Sequence, residues 1–172
     1  MRNTFFKLWI HGILKTCPDR VLIDSEKAEL LYLEIEKKLM EQGCEVAIVN
    51  GRPDHVHFLF LLNPLLSLHE TIRFLQGVTQ RWYHLRDFNT AFLKFKWEDG
   101  YCAYSVSESA FDKVKFFIEK QAIIHQEIGF EEERERLNLL HNVDISDESK
   151  EKALRTSQPK YTFNHIGSEW VL

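Results

Sequence analysis

Two imidazoles stand one residue apart in Asp54-His55-Val56-His57, immediately before the apolar run Phe58-Leu59-Phe60-Leu61-Leu62. In a β-strand successive side chains alternate between faces, so His55 and His57 share one side of a rigid element. Paired neutral imidazoles in that arrangement, entered through the turn residues Gly51-Arg52-Pro53, supply two of the donors that a divalent ion needs. A third donor must come from elsewhere in the chain. Alone, His-x-His is a frequent pattern and also fits two strand histidines facing solvent or bonded to backbone.

The elements that would hold such a site are legible from periodicity. Residues 4–14 are aromatic and β-branched enough for a first strand, closed by turn chemistry from Thr16 to Arg20. Asp24 or Ser25 can cap a helix in which Ala28, Leu31, Tyr32, Ile35 and Leu39 form one apolar face, with Gly43 as its C-terminal stop. Glu45 to Asn50 and His55 to Leu62 read as an antiparallel hairpin. Ser67 opens a second helix carrying Leu68, Ile72, Leu75, Trp82 and Leu85 inward as far as Arg86. A fourth strand follows within Lys94 to Ser107. A third helix is predicted from about Ala110 to Gly129, capped by Ser107 or Ser109, with Phe111, Val114, Ile118, Ala122 and His125 inward.

This β-α-β-β-α-β-α order predicts an α+β fold of the ferredoxin-like or RNA-recognition-motif-like kind. Its antiparallel sheet would carry the intervening helices on one face and offer the other to a ligand. From Glu131 the chain turns acidic and polar, and Pro159, Tyr161, Phe163 and Trp170 suit an extended tail docking on a partner subunit.

Composition bounds the function. A chain of 172 residues with 44% hydrophobic content suffices for one domain and a tail. Cys17, Cys44 and Cys102 are odd in number and form no C-x-x-C pair, which argues against a disulfide framework or structural zinc and for a reducing cytoplasm. The apolar N-terminus is interrupted by Lys7 and His11, unlike a signal peptide, and the run from Phe58 to Leu66 is too short for a membrane span. The net charge of -4 comes from the tail: residues 1–126 hold 16 basic and 16 acidic groups, residues 127–172 hold 6 and 10. Between Arg52 and Lys96 the balance reverses, with six basic residues against three acidic, so a basic face near the histidine strand is expected.

Three ordered blocks then narrow the reading. Pro53-Asp54-His55-Val56-His57-Phe58-Leu59, Trp97-Glu98-Asp99-Gly100-Tyr101-Cys102-Ala103-Tyr104-Ser105-Val106-Ser107 and Phe117-Ile118-Glu119-Lys120-Gln121 resemble the signature blocks of the IS200/IS605-like single-tyrosine transposases, including the REP-associated ones. The likeness covers residues 1–130. It implies an HUH nuclease fold, a homodimer, and cleavage and rejoining of single-stranded DNA at hairpin-marked ends. It also implies His55, His57 and Gln121 as ligands of Mg2+ or Mn2+, and a tyrosine nucleophile four residues before the glutamine. Residues 131–172 would be a C-terminal extension.

The chain departs from that pattern at the nucleophile. Phe117 occupies the tyrosine position and lacks the hydroxyl oxygen that attacks phosphorus. Three explanations stand open: an introduced substitution in an active enzyme, a natural change marking a non-catalytic regulator that binds hairpin DNA or RNA, or a nucleophile displaced to Tyr101, Tyr104 or Tyr83. A water-using metallophosphoesterase fits less well, because the chain shows no set of extra carboxylate ligands. In the second helix, where relatives present a lysine and small hydroxyl residues, Gln76, Gly77, Thr79 and Gln80 precede Arg81. Arg52, Arg73 and Arg81 are the expected phosphate contacts; Trp82, Trp97 and Tyr104 are candidates for stacking on bases.

Overall fold

A computed structural model describes residues 5–86 and 94–143. Its elements are β1 (Trp9–Lys15), α1 (Ser25–Glu41), β2 (Glu45–Arg52), β3 (His55–Leu61), α2 (Leu68–Arg86), β4 (Cys102–Val106), a 3-10 turn (Glu108–Ala110), α3 (Phe111–Glu119), α4 (Gln121–Ile124) and α5 (Phe130–Leu140). The chain divides into two compact units, Met1–Ala122 and Ile123–Leu172.

In the first unit the sheet order is β2-β3-β1-β4 with every pair antiparallel, the order of a ferredoxin-like α+β fold. Local chemistry sets the helix ends. Asp24 accepts the Glu26 amide at 3.0 Å to start α1, and Gly43 ends it at φ 73°, where a Cβ would be strained. Ser67 and Glu70 form a reciprocal capping box before α2: Ser67 Oγ accepts the Glu70 amide at 3.2 Å, and Glu70 accepts the Ser67 amide at 3.3 Å.

Both intervening helices pack on one face. Leu31, Ile35 and Leu39 of α1 and Ile72, Leu75, Trp82 and Tyr83 of α2 close over Ile10, Leu14, Val56, Phe58 and Phe60 of the central strands. Gly12 belongs to that face because a Cβ there would lie well inside van der Waals contact with Phe58 Cε2. Odd-numbered residues of β1 and β3, His11, Ile13, His55 and His57 among them, therefore point to the opposite face. That face is not left bare, since α3 lies across it, packed against β2 and β3. With both sides covered, every residue from His55 to Phe60 is buried, which accounts for the nearly unbroken apolar run after the histidines.

The single third helix expected over 110–129 is instead two helices broken at Lys120. Asn50 of β2 supplies the reason. Its side-chain amide donates to the carbonyls of Ile118 at 2.8 Å and Glu119 at 3.1 Å, two acceptors that an uninterrupted helix would use internally. Ser107 and Ser109 bond to each other through their hydroxyls, and Ser107 makes no side-chain cap bond.

In the second unit, residues expected to be extended form α5, with Glu131, Glu132 and Glu133 placed in its first turn where the helix dipole favours negative charge. Within this unit His125 Nε2 and Glu133 Oε2 are 3.2 Å apart. The aromatic tail, Pro159 to Trp170, lies outside the described residues. No described helix is long and apolar enough to cross a membrane.

Candidate metal centre

Register brings the polar residues together. His57 pairs with Ile13 of β1 and Asn50 of β2, and His55 pairs with Lys15 and Arg52, so both imidazoles lie on a strand flanked on each side, His55 at its hairpin end and His57 one pair further in. Both are fully buried. One ring nitrogen of His55 and one of His57 lie within 4.8 Å of each other.

Each ring has a second partner. His55 Nδ1 is 2.7 Å from Asp54 Oδ1. A carboxylate only accepts, so Nδ1 carries the proton and donates, leaving the lone pair of a neutral His55 on Nε2. That Nε2 faces Gln121 Oε1 at 3.3 Å. Two acceptors so close repel unless a proton or a cation lies between them, or the Gln121 amide turns its NH2 toward the ring. Cis ligands at about 2.1 Å from one ion stand about 3 Å apart, close to the observed spacing. A carboxylate–histidine pair is also the usual support of a metal-bound imidazole. Two imidazole nitrogens and an amide oxygen, with no thiolate, suit Mg2+ or Mn2+, imidazole favouring the latter. The residues present therefore fit a divalent ion.

Gln121 reaches His55 because of the break at Lys120 and the anchor at Asn50. Asn50→Ala should cost about 1–2 kcal/mol, read in a chemical melt, since it leaves two helix-end carbonyls without their donor. It should also lower Mn2+ affinity by loosening Gln121.

Phe117 belongs to the same constellation. Its ring meets His57 edge-on at 5.9 Å between centroids and His11 at 6.0 Å, and it is 6% exposed. Phe117 of α3 and Gln121, just past the break at Lys120, thus both lie over the histidines of their own chain. The displaced-nucleophile candidates separate by position. Tyr83 is buried under α1, accepting the Asp24 amide at 2.9 Å and stacking on Phe95, and Tyr101 packs against the helical core. Tyr104 alone of the three stands on the histidine face, its ring 6.0 Å from His11.

The arginines are divided. Arg52 stands opposite His55 across β2 and β3, while Arg73 and Arg81 project from α2, on the far side of the sheet. Gln76, Thr79 and Gln80 face the segment before β4: Gln76 donates to the carbonyls of Glu98 and Gly100, Thr79 accepts from the Trp97 indole, and Gln80 accepts the Trp97 amide. Trp82 and Trp97 belong to the helical core.

Sequence reasoning overlooked His11. It is 1% exposed, and its Nε2 lies 2.9 Å from His57 Nδ1. The available signal was a histidine at an alternate position of a strand otherwise built of Trp9, Ile10, Ile13 and Leu14.

A ferredoxin-like sheet with two buried histidines on its central strand, and a glutamine brought to them by a helix on that face, defines the nuclease-type α+β fold of small transposases. The family described as "Transposase IS200 like" matches residues 4–121, and the chain belongs to it. Among solved structures, a Deinococcus radiodurans R1 protein provisionally designated a transposase is 25% identical, covering 70% of this chain and 95% of that one with a TM-score of 0.52. The REP-associated tyrosine transposase bound to a REP hairpin is 12% identical, covering 74% of each chain with a TM-score of 0.54, and shows the same fold. No curated protein matches the chain.

Proposed function

We propose that this chain is a single-stranded DNA transposase domain that recognises hairpin-marked ends with a divalent ion, Mg2+ or Mn2+, held by His55, His57 and Gln121, and that Phe117 leaves it deficient in cleavage. The observation that carries the reading is the relay from the partly exposed Asp54 through the buried His55 to Gln121, with the Phe117 ring beside His57. A bound ion would polarise a phosphodiester and steady the leaving oxyanion. The chain's own residues do the rest. Asp54 orients His55, Asn50 anchors the helix end that delivers Gln121, and α3 presents position 117 where the family has its nucleophile. With phenylalanine there, no Oη exists to form a phosphotyrosine.

Residues 1–130 are assigned to the transposase domain and 131–172 to an extension. Arg52, Arg73 and Arg81 are assigned to phosphate contacts, the working form to a homodimer, and the location to the cytoplasm. The REP-hairpin complex of the structural neighbour supports a hairpin as ligand. Phe117 favours a second reading, a non-catalytic hairpin DNA or RNA-binding regulator with the same site retained for binding.

Fluorescence anisotropy with a labelled single-stranded hairpin, a scrambled strand and a perfect duplex tests the proposal. The hairpin should bind at least about tenfold more tightly than either control. Three arginine contacts predict a log–log salt slope of about -2 on single strands. Equal affinity for all three DNAs, or none, would contradict it.

A further inference from the structure

We propose that His11 is a positioning residue that sets the His57 ring as a metal ligand. The inference rests on the reading of His55, His57 and Gln121 as the ion site and adds to it a residue that the family blocks quoted above do not contain. His11 lies on β1 and His57 on β3. Their register partners are Leu59 and Ile13, so the two are diagonal neighbours across an antiparallel pair, near enough for rings to meet. The rings are nearly parallel, at 27° with centroids 5.2 Å apart, and His11 Nε2 lies 2.9 Å from His57 Nδ1.

One proton must occupy that contact. A neutral imidazole offers one donor and one acceptor, and its metal-binding nitrogen must carry the lone pair. For His57 to ligate through Nε2, its Nδ1 carries the proton and donates to His11 Nε2, while His11 keeps its own proton on Nδ1. His11 thus does for His57 what Asp54 does for His55: it holds the other ring nitrogen as a donor and fixes the ring plane. His11 is itself buried and held in place. Phe117 meets it edge-on at 6.0 Å and Tyr104 lies at 6.0 Å, tilted by 50°. The two ligands therefore differ in support: a partly exposed carboxylate for His55 and a buried imidazole for His57.

The test compares Mn2+ binding by isothermal titration calorimetry for the full chain and its His11→Phe, His11→Gln and His57→Ala variants, with 15N NMR of the imidazoles in the metal-free wild type. His11→Phe keeps a ring but removes the acceptor. His11→Gln can place an amide oxygen near the Nε2 position. The expected result is Mn2+ affinity about 10- to 100-fold weaker in His11→Phe and within about threefold of wild type in His11→Gln, with His57 protonated on Nδ1 in the NMR spectrum. The NMR arm needs no variant, so a poorly folded His11→Phe leaves the proposal exposed: finding His57 Nδ1 as the acceptor overturns it. If Mn2+ binds and His57→Ala abolishes binding while His11→Phe does not weaken it, the role of His11 falls and the metal site stands. If wild type and His57→Ala both fail to bind Mn2+, the metal reading falls and takes the role of His11 with it.

Discussion

Phe117→Tyr should produce a covalent protein–DNA adduct, seen as a shifted band on a denaturing gel after incubation with single-stranded hairpin DNA and Mn2+, where the unaltered chain gives none. The argument is positional. The Phe117 ring already lies against His57 and His11, so the substitution adds one hydroxyl to a ring in place rather than rebuilding a loop. Its Oη would attack the phosphorus, the bond to the 3′ oxygen would break, and the strand would leave as a 3′-hydroxyl while the protein keeps a 5′-phosphotyrosine. Loss of a nucleophile from an otherwise intact site typically costs about 10^4-fold or more in rate, so strand cleavage by Phe117→Tyr should exceed that of the unaltered chain by at least that much. EDTA should erase the band. Two outcomes would count against the assignment. If neither chain forms an adduct while both bind the hairpin, the site serves binding and the regulator reading takes over. If both chains form one, the nucleophile lies elsewhere, and Tyr104 is the first tyrosine to test because it shares the histidine face.

The second large effect concerns the ion itself. Mn2+ should stabilise the wild-type chain by about 2.7 kcal/mol at a hundredfold excess over its Kd, through binding the native state alone. For a domain of this size that corresponds to a rise of about 5–10 °C in Tm. His57→Ala should remove the rise and weaken Mn2+ binding by at least about 100-fold, since it deletes one of three protein donors in a buried site. His55→Ala should do the same and also leave Asp54 and Gln121 without the ring between them. In the Phe117→Tyr background either alanine should abolish the adduct. A Tm rise that persists undiminished in both alanine variants would place the ion somewhere other than the histidine strand.

Much of this centre is written locally. Strand alternation depends only on the chain's own pleat, so the shared face of His55 and His57 follows from their spacing. The stops and starts of α1 and α2 follow from Asp24, Gly43, Ser67 and Glu70, because capping bonds join residues only a few positions apart. The order of strands and helices and the three family blocks were legible for the same reason. Tertiary structure decided the rest. The meeting of His11 with His57 spans 46 residues and depends on the register of β1 against β3, which periodicity does not encode. The break at Lys120 arises because Asn50, 68 residues before Ile118, competes for helix carbonyls, and that competition is what delivers Gln121 to His55. Arg73 and Arg81 are near the histidines in sequence but on the other side of the sheet, since α2 turns its apolar face to the core opposite them. Spacing determines which side of an element a residue occupies; which elements then face one another is set by how their apolar faces pack.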